Sequence, residues 1–296
     1  MSVLNTIRFV TGHPLNRGRK LAALARFLKW QLGSRLVSGT IVYEWVHGSK
    51  FFVKTGETGL TGNIYTGLHE YHEMGFLLHF LRSKDLFVDV GANVGSYTIL
   101  AGFVIGARVL AFEPIQSTHH RLLENVRLNH LEERVECVNK AVGAKKETAE
   151  FTSDQDTTNH ALAPGEQCDS KVIIETVPLD SALRGEVPLL MKIDVEGLEA
   201  QVLEGALQSL KNPDLKVVIM ELNGSGERYG FDETRTVQMM LDHGFQAYSY
   251  APFERRLVEL QPKKRDPGNT LFIRDKSFVL NRLRTAPKVT VHGRTF

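Results

Sequence analysis

The amino-acid sequence predicts an α/β fold, a doubly wound and mostly parallel sheet. Short apolar runs alternate with helical segments through residues 86–273, the pattern of successive βαβ units. Two of those runs, Leu86–Val90 and Leu189–Ile193, are apolar apart from one charged residue each, as strands covered on both faces are. Each also runs on into a helix through a segment containing glycine, and the second of these segments carries acidic residues as well. Ligands of open α/β sheets sit outside such strand ends.

Length and composition narrow the class. The chain has 296 residues, 42% of them hydrophobic, enough for a substantial core. The apolar runs are broken well before the roughly 20 residues that span a bilayer, and no cleavable signal pattern follows the N-terminus. Two cysteines, Cys137 and Cys168, make neither a disulfide framework nor a zinc site. The expectation is a reduced, cytoplasmic enzyme. Its net charge of +2 conceals a division. Seven Lys/Arg and no acid precede Glu44, and five more with no acid follow from Lys276, so residues 44–275 hold 24 basic against 34 acidic residues. Basic arms flank an acidic body.

In chain order, Leu21, Leu24, Ala25, Leu28 and Leu32 recur at helical spacing among Arg26, Lys29 and Arg35. The expectation is a helix packed on its own domain with solvated charges. The alternative is peripheral contact with an anionic membrane. Thr40–Val46 and Phe51–Lys54 form a hairpin. Residues 68–81 form a helix lying over the ligand cleft, and its Glu70 is assigned to the cofactor. The histidine spacing there does not match the zinc-protease motif.

The segment after Leu86–Val90 carries Gly91, Asn93 and Gly95. Glycine lets backbone approach a ligand, and a helix N-terminus offers unpaired N–H groups. The dinucleotide pattern Gly-x-Gly-x-x-Gly fails here, which counts against a dehydrogenase. Asp89 beside the loop suits a ligand with an ammonium group. Glu113, 18 residues beyond Gly95, is placed to accept ribose hydroxyls. Together these describe S-adenosylmethionine.

Further on come a helix over Ser117–Leu131, strands at Arg134–Val138 and Ala149–Thr152, a polar loop over 153–171 and a strand at Lys171–Val177. In Lys192-Ile-Asp194-Val-Glu196-Gly-Leu-Glu199, strand alternation puts Lys192 and Asp194 on one side. Charges that end a buried strand are costly unless they bind something. Glu199 is explained as a first-turn acid. One helix then runs Leu198–Leu210, a strand from Lys216 ends at Glu221, a helix spans Asp232–His243, and Asn269–Ile273 closes the sheet, with a late antiparallel strand.

Asp-Val-Gly-Ala-Asn-Val-Gly at 89–95, Phe-Glu-Pro at 112–114, Lys-Ile-Asp-Val-Glu-Gly-x-Glu at 192–199 and Asn-x-x-Phe at 269–272 resemble the FkbM-family methyltransferases. The resemblance covers roughly residues 68–273 and implies a Rossmann-like class I methyltransferase fold of seven strands. It also implies methyl transfer from S-adenosylmethionine, commonly to a hydroxyl of a sugar, glycolipid or natural product. The division that follows is an N-terminal extension over 1–67, a methyltransferase domain over 68–275 and a basic tail over 276–296. Asp194, Glu196 and Glu221 are the candidate bases, with Lys192 holding a carboxylate or the developing alkoxide. These acids suit a hard divalent cation, but no third ligand is fixed, so the site is read without metal. His160 is read as a solvated loop residue. A small molecule or saccharide is the expected partner, and nucleic acid is not. A non-catalytic nucleoside-binding module is the remaining alternative.

Overall fold

The computed structural model describes residues 3–54, 58–153, 159–163, 165–260 and 268–296. The N-terminal region gives α1 (Val3–Gly12), α2 (Lys20–Leu36), a hairpin of β1 (Ile41–Glu44) and β2 (Lys50–Val53), and α3 (Thr58–Thr66). There follow α4 (Tyr71–Phe80), β3 (Leu86–Val90), α5 (Ser96–Ile99), β4 (Arg108–Phe112), α6 (Gln116–Leu128) and β5 (Val135–Val138). Next come β6 (Ala141–Val142), β7 (Glu147–Thr152), β8 (Lys171–Val177), α7 (Leu179–Ala182), β9 (Leu190–Ile193), α8 (Glu199–Glu204) and α9 (Leu207–Lys211). The chain ends with β10 (Val217–Leu222), α10 (Glu233–Asp242), β11 (Gln246–Ala251), β12 (Arg256–Glu259), β13 (Gly268–Ile273), α11 (Lys276–Thr285) and a small hairpin, β14 (Thr290–Val291) and β15 (Arg294–Thr295).

The main sheet has the order β12-β11-β13-β10-β9-β3-β4-β5. Strands β5, β4, β3, β9 and β10 are parallel, and β13 runs against both its neighbours. The doubly wound expectation holds, with eight strands instead of seven. β13 does not close the sheet as expected. It inserts between β10 and β11, and the half-exposed β12 forms the edge. A three-stranded sheet, β6-β8-β7, stands apart from the main one.

Alternate residues along each strand feed two cores, as the two-residue period of a strand requires. Phe87, Val109, Ala111, Leu190, Val217 and Ile219 face one core with α4 and the N-terminal helices. Val88, Leu110, Met191, Ile193 and Val218 face the other, with α8 and α9. The helix expected over Leu198–Leu210 is broken into α8 and α9 at Gly205. A Cβ at Gly205 would lie 2.1 Å from the Gly143 carbonyl oxygen.

Of the leucines expected to pack α2, Leu21, Leu28 and Leu32 are exposed and Leu24 is half-buried. The buried residues of α2 are Ala23, Phe27, Trp30 and Ser34, and Phe27 meets Tyr65 edge-on at 5.1 Å between ring centroids. Phe27 and Trp30 bury large aromatic surfaces on this face, with Ala23 and Ser34 filling the gaps between them. Among the described residues no helix is long and apolar enough to cross a membrane.

The Gly205–Gly143 contact makes Gly205→Ala an overpacking change against backbone. Its expected cost is about 1–3 kcal/mol, read as a lowered urea midpoint at unchanged slope. An unaltered midpoint would show that the two segments part freely.

Candidate active site

The candidate site grows from strand register. Asp89 on β3 is paired in register with Lys192 on β9, which is paired in turn with Ile219 on β10. Asp89, Lys192, Asp194 and Glu221 therefore share one face, at or beyond the carboxyl ends of three adjacent parallel strands. All four line a cleft of about 310 Å³ with Glu70, Asn93, Tyr97, Glu113 and Glu196. Of the residues expected to meet the cofactor, Asp89, Gly91, Asn93, Glu113 and Glu70 line the cleft, and Gly95 does not. Gly95 instead precedes α5 with φ +97°.

The loop after β3 is shaped by backbone constraints. Gly91 has φ +81°, and a Cβ there would stand 1.8 Å from the Asp194 carbonyl oxygen, so only glycine fits between the two strand ends. Asn93 is left-handed at φ +52°. It is tolerated there because its Oδ1 accepts from the Val94 N–H at 2.7 Å. Glu113 ties this loop to β4: one oxygen accepts from Asn93 N–H at 3.0 Å and the other from Ile115 N–H at 2.9 Å. Each oxygen keeps a lone pair for a ligand. Burial pushes its carboxyl up to about 7. Asp89 accepts from the Thr98 hydroxyl at 2.7 Å. Its other oxygen is buried with no protein partner among the described residues. Such an orphaned acceptor suits a donor group on a ligand.

Lys192 is 3% exposed. Its Nζ donates to Asp194 Oδ2 at 2.6 Å and stands 4.7 Å from the centroid of the Tyr97 ring. Burial opposes its charge, but Asp194, Glu70 and Asp89 together hold it above the ordinary lysine range. Burial pushes Asp194 up, and the adjacent ammonium overrides this, so its carboxyl lies below the usual range. Glu221 moves the other way. Burial, then the charge of Asp194, pushes it up to about 8. Burial and Asp194 also raise Glu196, which adopts a left-handed φ of +54°.

Asp194, Glu196 and Glu221 can each present a carboxylate oxygen within 4.8 Å of the others. The third acid that the sequence left unfixed is thus brought in by the fold. Lys192 already neutralises Asp194 in this group. His160 is not the solvated residue expected. It is buried, with Nε2 2.9 Å from Glu166 Oε1, and does not line the cleft. Part of its loop lies outside the described residues. Glu199 turns back to accept from Val195 and Gly197 N–H groups, so it braces the loop as well as opening α8.

Sequence reading missed Tyr97 and Asn63 on the cleft wall, because both lie in apolar or small-residue helical segments. It named Asn269 without its purpose. Asn269 Nδ2 donates to Glu70 Oε1 at 2.8 Å, pinning the residue before α4 to β13.

The sheet order, with one reversed strand beside β10 and the cleft beyond β3 and β9, is the class I methyltransferase architecture. The methyltransferase FkbM domain matches residues 89–247, more than half of the sequence, and the chain belongs to that family. A hexuronic acid methyltransferase of Haloferax volcanii, AglP, is 28% identical over 147 residues, covering 48% of this chain and 58% of that protein. The matched region thus spans little more than half of that relative. Among solved structures, a precorrin-6y C5,15-methyltransferase from Geobacter metallireducens aligns at TM-score 0.39 and 13% identity, over 67% of this chain and 84% of its own. An rRNA methylase from Streptococcus thermophilus aligns at TM-score 0.40 and 13% identity, over 68% and 93%.

Removing one member of a buried ion pair strands the other. Lys192→Met is expected to cost about 3–5 kcal/mol in unfolding free energy. The double change Lys192→Met with Asp194→Leu recovers part of that loss in a double-mutant cycle read by chemical denaturation. Additive losses would show that the pair is not coupled.

Proposed function

We propose that the protein transfers a methyl group from S-adenosylmethionine to a hydroxyl oxygen of a saccharide or similar small polar acceptor. The observation that carries this reading is the joining of two groups in one cleft: Asp89 and Glu113 on the glycine-loop side, and Lys192, Asp194, Glu196 and Glu221 at the neighbouring strand ends. The glycine loop and Glu113 are the residues suited to a nucleoside, and the orphaned oxygen of Asp89 to its cationic tail. Glu70, pinned by Asn269, stands over the same cleft. When bound, the cofactor supplies a methyl already activated on a sulfonium sulfur. The similarity to a hexuronic acid methyltransferase supports a sugar as acceptor.

The protein's share of the reaction is alignment and proton removal. An alcohol is a weak nucleophile until its proton is taken. Glu221, held at about 8 in a buried and polar setting, is the proposed base, and Asp194 stays ionised against Lys192. The acceptor hydroxyl gives its proton to Glu221 as the new oxygen–carbon bond forms and the carbon–sulfur bond breaks. Lys192 orients Asp194 and offsets negative charge that builds near it. Positioning the reacting groups in the cleft supplies several kcal/mol of the barrier reduction.

Labelled cofactor incubated with lipid, saccharide and small-molecule extracts tests the acceptor class. Methylated saccharide carries the proposal, and label confined to protein, nucleic acid or nitrogen centres overturns it. Glu113→Ala is expected to abolish cofactor binding in calorimetry. Glu221→Gln keeps that binding and lowers kcat by roughly 10²–10⁴.

The pH dependence has a definite sign. A base must be unprotonated, so kcat is expected to climb as pH rises through about 8 and to level above it. Glu221→Gln removes that limb. A wild-type profile flat between pH 6 and pH 9 would remove Glu221 from the role.

A further inference from the structure

The methyl-transfer reading leaves α2 unused, and α2 carries four of the exposed leucines among the described residues. One side of the helix is fastened to the body through Ala23, Phe27 and Trp30. The opposite side presents Leu21, Leu28, Leu32 and Leu36, exposed by 84%, 54%, 66% and 86%, with Val37 half exposed just beyond. Their spacing of seven and four residues puts them in one stripe along the helix, with exposed Ala25 between them. Single exposed leucines are ordinary, but a continuous row marks an interaction surface.

Charge identifies the partner. Lys29 and Arg35 lie on the flanks of the stripe and Lys20 at its start, all exposed. The fold adds to them from both ends of the chain. Arg294 donates to the Arg17 carbonyl at 3.3 Å, and Arg19 to the His292 carbonyl at 3.4 Å. The two basic arms of the sequence therefore meet beside the start of α2. No acidic residue occurs before Glu44 or after Asp275. A second copy meeting this face symmetrically would set cation against cation. A nucleic acid would use the cations and leave the leucines in water.

We propose that this face docks the protein on the surface of an anionic lipid bilayer, with the α2 leucines entering the headgroup–acyl boundary and the surrounding Lys and Arg on lipid phosphates. Leucines along one side of a helix with cations at its margins are the arrangement of an interfacial helix. The helix also has a direct connection to the cleft. Phe27 packs on Tyr65 of α3, Gln31 Nε2 donates to the Tyr65 hydroxyl at 2.6 Å, and Arg26 donates to the Tyr65 carbonyl at 3.2 Å. Asn63, on the same α3, lines the cleft and donates to the Ser96 hydroxyl at 3.1 Å. A bilayer under α2 would lie one helix away from the cleft wall.

Flotation of the full chain with phosphatidylcholine vesicles, with and without about one-third phosphatidylserine, tests this independently of methyl transfer. The wild-type protein is expected to float only with the anionic vesicles and to be released by high salt. Leu28→Glu with Leu32→Glu abolishes flotation. Lys29→Ala with Arg35→Ala weakens it by roughly tenfold or more. These side chains are exposed, so circular dichroism and the melting temperature stay at wild-type values. Absence of wild-type flotation overturns the proposal, as does equal flotation of the leucine variant. So does a wild-type dimer that the leucine variant converts to monomer without any vesicle binding.

Discussion

One ammonium group holds the carboxylate face of this protein together. Lys192 Nζ lies within hydrogen-bonding distance of Asp194, and the charges of Glu70 and Asp89 also act on it. A buried ammonium is several kcal/mol out of place unless it is compensated. A crowd of buried carboxylates without a cation would instead take up protons. The two problems cancel each other here. The cancellation is uneven, and that unevenness has chemical use. Asp194, in direct contact, is kept acidic, while burial and the Asp194 charge leave Glu221 titrating at about 8. Neighbouring carboxyls driven apart in this way can take different parts in one reaction.

Much of this arrangement could be read along the chain. The period of two in Lys192-x-Asp194 put both side chains on one side of a strand. The glycine loop, its spaced acid and the alternation of elements located the cleft at strand carboxyl ends. What the chain could not state was register. That Asp89 stands opposite Lys192 depends on two strands separated by about a hundred residues. The link from Glu70 to Asn269 joins positions 199 apart. Neither leaves a local signal. β12 was missed for a different reason: it is a short edge strand that alternation of apolar elements does not flag.

The helix expected at α2 is present and packed on the body, but through a different face from its leucine row. Helical periodicity finds apolar rows, but this helix carries two, and the row with more leucines was taken as the packed one. The aromatic pair Phe27 and Trp30, three apart, was the better guide to burial. His160 was misjudged because its partner Glu166 sits in the same polar loop, where composition suggests solvation and geometry provides enclosure.

The contact of Gly91 with the Asp194 carbonyl has a further consequence. With no side chain between them, the glycine loop and the acid-bearing strand end are keyed together, and neither can be reshaped alone. Lys140, Ala141, Val142, Phe151 and Asn159 reach the cleft from a separate excursion of the chain around the small three-stranded sheet. That wall of the cleft can therefore shift with the small sheet while the keyed floor stays in place.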